Sequence, residues 1–169
     1  SLSKQLDKDV VDLVIEIQNN GGAAMINFGM QEAEVRLIMQ QPFVAVASDG
    51  GSKVPNDTVP HPRNYGTFPR KIGRYAIRGR TITLAAAIRS ATGLPAEILG
   101  LPKRGFVKTG YAADLVVFDP KTMLDTATFE KPHQYATGVR YLFVNGVLVI
   151  DNGRVTEKLP GRALRHVSR

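Results

Sequence analysis

The sequence has no cysteine. That excludes disulfides, thiolate metal ligands and a cysteine nucleophile, and it fits a reducing, cytoplasmic setting. Long apolar runs are also missing. The longest, such as residues 43–47 and 147–150, fall far short of the roughly 20 residues that span a bilayer. The first nine residues lack the apolar core of a signal peptide. Position 1 is Ser rather than Met, which suggests an excised piece of a longer chain or the remnant of a cleaved tag. Histidine is scarce: His61, His133 and His166 stand alone, with no second His at metal-ligand spacing. There is no Gly-x-Ser-x-Gly elbow, no phosphate loop, no repeat and no low-complexity stretch.

What is present is ordinary globular material. The 169 residues are 43% hydrophobic and 22% charged, enough to build one core without staples. The net charge of +7 gathers in Arg63, Arg70, Lys71, Arg74, Arg78 and Arg80, and again in Arg162, Arg165 and Arg169. No aromatic-rich basic stripe accompanies it, so it reads as a solvated face, or one for an acidic partner surface, rather than a nucleic-acid footprint.

Periodicity predicts a helix over 9–18, closed by Asn19-Asn20-Gly21-Gly22. Residues 23–28 then read as a buried strand. A helix over 31–40 follows, with Ala33, Leu37 and Ile38 inward and Pro42 as its stop, and then a second apolar strand over 43–48. Strands apolar throughout, alternating with helices, belong to a parallel sheet covered on both faces. Two strands do not make a sheet, and a parallel barrel needs eight in about 250 residues. Residues 50–69 read as a long loop, of the kind that is often functional. Helix resumes over 68–77. Thr83 is placed to cap another, with Leu84, Ala87, Ile88 and Ala91 on one face and Gly93 as the stop; Pro95 opens a short turn over 96–99. From residue 104 the pattern changes to strands: 114–119 before Pro120, then 139–144 and 147–150 around Asn145-Gly146, a strong hairpin signal. Asp57, Asp119 and Asp151 read as turn residues.

Asp49 is the leading candidate for chemistry. It follows an apolar strand and precedes Gly50-Gly51, the strand-tip position where α/β sheets gather reactive groups. An Asp in that place also serves simply to close a turn. In the loop, Arg63 of His61-Pro62-Arg63 has the planar fork that holds a carboxylate, although by itself it reads as an exposed, unengaged Arg. Tyr65 either packs over such a site or anchors the loop, and an isolated loop His such as His61 reads as a hydrogen-bonded side chain.

These stretches together resemble one family. Ser48-Asp49-Gly50 resembles the eighth-strand Asp motif of the amidohydrolase superfamily. His61-Pro62-Arg63-Asn64-Tyr65-Gly66-Thr67-Phe68-Pro69-Arg70 resembles a loop of the N-acyl-D-amino-acid deacylases, or D-aminoacylases. Residues 105–120, 129–138 and 144–146 continue the likeness, which spans about residues 23–155. The resemblance implies an α/β chain: residues 1–103 as the last strands and helices of a TIM-barrel amidohydrolase, with an active-site loop over 50–69, and residues 104–169 as part of a small antiparallel β domain with a basic tail. It implies that Asp49 activates the nucleophilic water and passes the proton to the leaving amine, with a weaker role as metal ligand. Arg63 then binds the substrate carboxylate, with Gly50 and Tyr65 beside it. Zinc is expected in the parent enzyme but not in this chain alone, because the family's His-x-His pair, bridging ligand and further His residues are missing. The expected partners are a small N-acyl-D-amino acid and the missing N-terminal barrel half, or a second copy; no nucleic acid and no membrane. The alternatives are a dihydroorotase-like or hydantoinase-like enzyme acting on cyclic amides, and a non-catalytic assembly module.

Overall fold

The computed structural model describes residues 2–23 and 28–164, in two compact units, residues 1–30 and 31–169. In the first, α1 (Leu2–Leu6) leads to α2 (Val10–Asn19). Asp9 caps α2, accepting from the Val11 and Asp12 amides at 2.8 and 3.4 Å. Gly21 and Gly22 end it with φ of 98° and 76°, as the sequence requires. Of the strand expected over 23–28, residues 24–27 lie outside the described residues.

The second unit opens with α3 (Glu32–Met39). Its expected inward residues are not covered: Ala33 is exposed, and Leu37 and Ile38 are 62% and 51% exposed. Residues 43–48 form no strand pairing. Their amide at Val46 donates instead to the Ser90 carbonyl at 2.8 Å, and Phe43 is exposed. The second departure has a physical cause. An apolar run becomes a strand only beside another strand, and the described residues supply none there.

The loop expected over 50–69 is shorter than its pattern suggested. Helix α4 (Arg63–Arg70) occupies its second half and runs directly into a π-helical stretch, Lys71–Arg78. Pro69 lies inside α4 and donates no backbone hydrogen bond. The wider π turns begin two residues later, a local adjustment of the kind that follows a broken ladder. Gly73 makes this stretch possible: a Cβ there would meet the Met123 carbonyl oxygen at 2.3 Å. Thr83 caps α5 (Leu84–Ala91) as expected, accepting from Ala86 N at 3.1 Å. That helix ends at Ala91, just before Gly93 as expected, but Gly93 does more than close it. It begins α6 (Gly93–Ile98), with its bare Cα against the Phe106 ring.

The β portion is a four-stranded antiparallel sheet in the order β1-β2-β3-β4: Leu115–Phe118, Val139–Val144, Val147–Asp151 and Arg154–Val155. Asn145 and Gly146 take φ of 50° and 80°, the signature of a type I′ hairpin. Asp114 accepts from the Asn145 amide at 2.8 Å, and Arg104 donates to the Asn145 side chain at 2.7 Å while pairing with Asp114. Asp119 closes its turn by accepting from Lys121 N.

Candidate active site

The segment holding Asp49 is positioned by helix α4. Asn64, in the first turn of α4, accepts from the Gly51 amide at 2.9 Å. A Cβ on Gly50 would lie 2.8 Å from the Asn64 Oδ1, so only glycine lets the chain pass this close. Asp49 itself has φ of 47°, a left-handed conformation that Asp tolerates better than most residues. The turn swings its carboxylate to Arg63, whose Nη2 lies 2.8 Å from Asp49 Oδ2. The Asp49 side chain is 84% exposed and that of Arg63 43%. The pair therefore faces solvent rather than an apolar core. Gly50, Arg63, Asn64 and Tyr65 line one shallow recess of about 200 Å³.

Tyr65 anchors the preceding loop. Its hydroxyl lies 2.8 Å from His133 Nδ1, and His133 Nε2 lies 2.7 Å from the Thr58 carbonyl oxygen. A carbonyl only accepts, so Nε2 carries the proton and donates to it. In the neutral ring Nδ1 then accepts from Tyr65. Burial and the nearby Tyr135 push the Tyr65 hydroxyl above its ordinary pKa. His133, isolated in sequence, is thus a bridge between α4 and the loop before it.

His61 stacks edge-on against Phe129 with ring centroids 5.2 Å apart, and its Nδ1 accepts from the Arg63 amide at 3.0 Å. Burial lowers its pKa, the charges of Arg63 and Arg70 lower it further, and Asp49 opposes them. A neutral imidazole is the form this hydrogen bond needs. His166 lies outside the described residues. Among the described residues, no three or more His, Cys, Asp or Glu side chains come together to hold a metal. Asp49 alone does not fit a zinc ion.

Sequence reasoning missed one residue. Asp125 is 2% exposed, and its two oxygens take Arg70 Nε at 2.9 Å and Arg74 Nε at 2.6 Å. With His61 and Arg63 it lines a cavity of about 380 Å³. Its own sequence, Leu124-Asp125-Thr126-Ala127, carries no motif. The available signal was helical register: Arg63, Gly66, Arg70 and Arg74 share one face once α4 is read from residue 63.

A profile of the amidohydrolase family matches residues 13–150. The chain belongs to the amidohydrolase family. This family member is 43% identical over 157 residues to the D-aminoacylase of Alcaligenes xylosoxydans xylosoxydans, covering 93% of this chain and 31% of that protein. It is also 43% identical over 143 residues to the N-acyl-D-glutamate deacylase of the same organism, covering 85% and 28%. Among solved structures, a D-aminoacylase crystal structure superposes with a TM-score of 0.81 at 40% identity, over 93% of this chain and 32% of its own. The N-acyl-D-glutamate deacylase of Bordetella bronchiseptica, complexed with zinc and a phosphonate mimic of the tetrahedral intermediate, superposes at 0.66 with 42% identity, over 75% and 27%. The chain therefore spans about 30% of the length of the relatives it matches.

Proposed function

We propose that this chain is the C-terminal portion of a metal-dependent hydrolase that cleaves the amide bond of N-acyl-D-amino acids, giving a carboxylate and a D-amino acid. In this reading residues 1–103 are the last part of a (β/α)8 barrel and residues 104–169 part of a small β domain. The apolar composition of residues 43–48, which pair with no strand among the described residues, supports the barrel portion.

The observation that carries the proposal is the exposed Asp49–Arg63 pair beside Gly50. In this reading the Asp49 carboxylate handles the protons of the reaction. Amide hydrolysis takes one proton from the attacking water and returns one to the departing nitrogen, and a carboxylate can do both in turn. Arg63 already grips one carboxylate, and its five donors leave room for a second, the α-carboxylate of the substrate. Tyr65, held by His133, fixes the wall of the recess. Zinc is proposed for the complete protein from its relatives. Among the described residues no zinc site assembles, and in this reading the ligands come from the part of the relatives that this chain does not span.

The test is hydrolysis of N-acetyl-D-amino acids, their L enantiomers and cyclic amides by the complete zinc-loaded protein. Turnover of the D series is expected, and Asp49→Asn is expected to lower kcat by about 10²- to 10⁴-fold. Preference for cyclic amides, or full activity in the Asn variant, would overturn the reading. The 169-residue chain by itself is expected to be inactive.

A further inference from the structure

We propose that Asp125 is a positioning residue for Arg63, a role that rests on the deacylase reading above. Helix α4 has no side-chain cap at its start, because its N-cap position is Pro62. Locally, His61 Nδ1 accepts from the Arg63 amide at 3.0 Å and Asp49 pairs with the guanidinium, but neither sets the direction of the helix that carries Arg63. The helix itself is held from the face that packs on Asp125. Residues at i, i+3 and i+7 share a helix face, and on α4 these are Arg63, Gly66 and Arg70, with Arg74 following on the π-helical stretch. Asp125 lies at the middle of that face. A Cβ on Gly66 would come within 2.9 Å of the Asp125 Cβ, so the helix rests directly on this residue. Its two oxygens then hold Arg70 and Arg74, one each.

The segment carrying Asp125 is itself immobilised. Leu124 exchanges backbone hydrogen bonds with Thr137. Met123, 2% exposed, is pressed between Gly73 and Gly138, and its carbonyl accepts from Arg78 at 2.7 Å. Asp125 thus transmits a fixed reference point to the helix whose first residue is Arg63. Its oxygens are already engaged and it is buried, so it acts through the arginines.

The complete zinc-loaded protein provides the test, with two variants. Asp125→Asn replaces one acceptor oxygen by a donor that cannot face a guanidinium. Arg74→Lys removes one fork at a half-exposed position and is the milder change. Each is assayed with the N-acetyl-D-amino acid turned over fastest and with its α-carboxamide. Misplacing Arg63 should raise KM for the carboxylate substrate by about 10-fold in Asp125→Asn and by about 3-fold in Arg74→Lys, with kcat nearly unchanged and little effect on the carboxamide. Equal losses on both substrates mean scaffold damage and overturn the proposal, as does an unchanged KM. If Asp125→Asn fails to fold, Arg74→Lys decides. If the wild type hydrolyses no N-acyl-D-amino acid, the deacylase reading fails on its own. A crystal structure of whichever variant folds then decides the positioning role: Arg63 displaced from Asp49 supports it, and a pair still at 2.8 Å overturns it.

Discussion

A guanidinium that holds Asp49 at 2.8 Å does two things to that carboxylate. It orients one oxygen, and it leaves the side chain 84% exposed to solvent. Lysine would keep the charge and lose the fork, and a point charge on a flexible stem cannot hold two carboxylates in one plane. Arg63→Lys is therefore expected to raise KM for an N-acyl-D-amino acid by about 10-fold, a cost near 1.4 kcal/mol. Steady-state kinetics at fixed zinc measure it, and an unchanged KM would show that Arg63 does not touch the substrate. Both residues of this pair were singled out in the sequence, Asp49 from its place after an apolar run and Arg63 from the loop motif, and the structure brings the two side chains together. Asp125 was not, because a buried carboxylate is defined by what reaches it, and its arginines lie 55 and 51 positions away.

At the scale of elements, caps and turns followed local chemistry. Asp9, Thr83 and Asn145-Gly146 act as their residue types dictate. Thr83→Ala removes the side-chain acceptor for Ala86 N and is expected to cost about 1 kcal/mol of stability. The midpoint of urea unfolding reports it, and an unshifted midpoint would mean that α5 does not depend on its cap. The start of α4 escaped this kind of reasoning. Gly66 and Pro69 both argue against helix, yet the helix forms there. Gly66 is needed because Asp125 sits against it, so a tertiary contact overrode the local preference. Lys71 follows the same logic: the packing around the π-helical stretch buries it to 5% exposure, and burial lowers its pKa.

At the scale of the molecule, apolar surface stands uncovered. Leu37, Ile38 and Phe43 are 62%, 51% and 72% exposed. Exposed apolar surface of this kind favours burial against a partner. In solution the 169-residue chain alone is expected to sediment above its 18.4 kDa monomer mass, and Leu37→Lys with Ile38→Lys should shift it toward the monomer. A wild-type chain that remains monomeric at high concentration would show that this face needs no cover.

The sequence by itself determined what short-range chemistry controls: helix caps, glycine stops, the hairpin, and the adjacency of Asp49 to its glycines. These depend on residues within a few positions of one another. Tertiary structure alone decided which charges meet, how the Tyr65–His133 bridge ties down a loop, and why a helix begins at Arg63. Each of those depends on side chains distant in sequence that share one small volume, and no local pattern records that proximity.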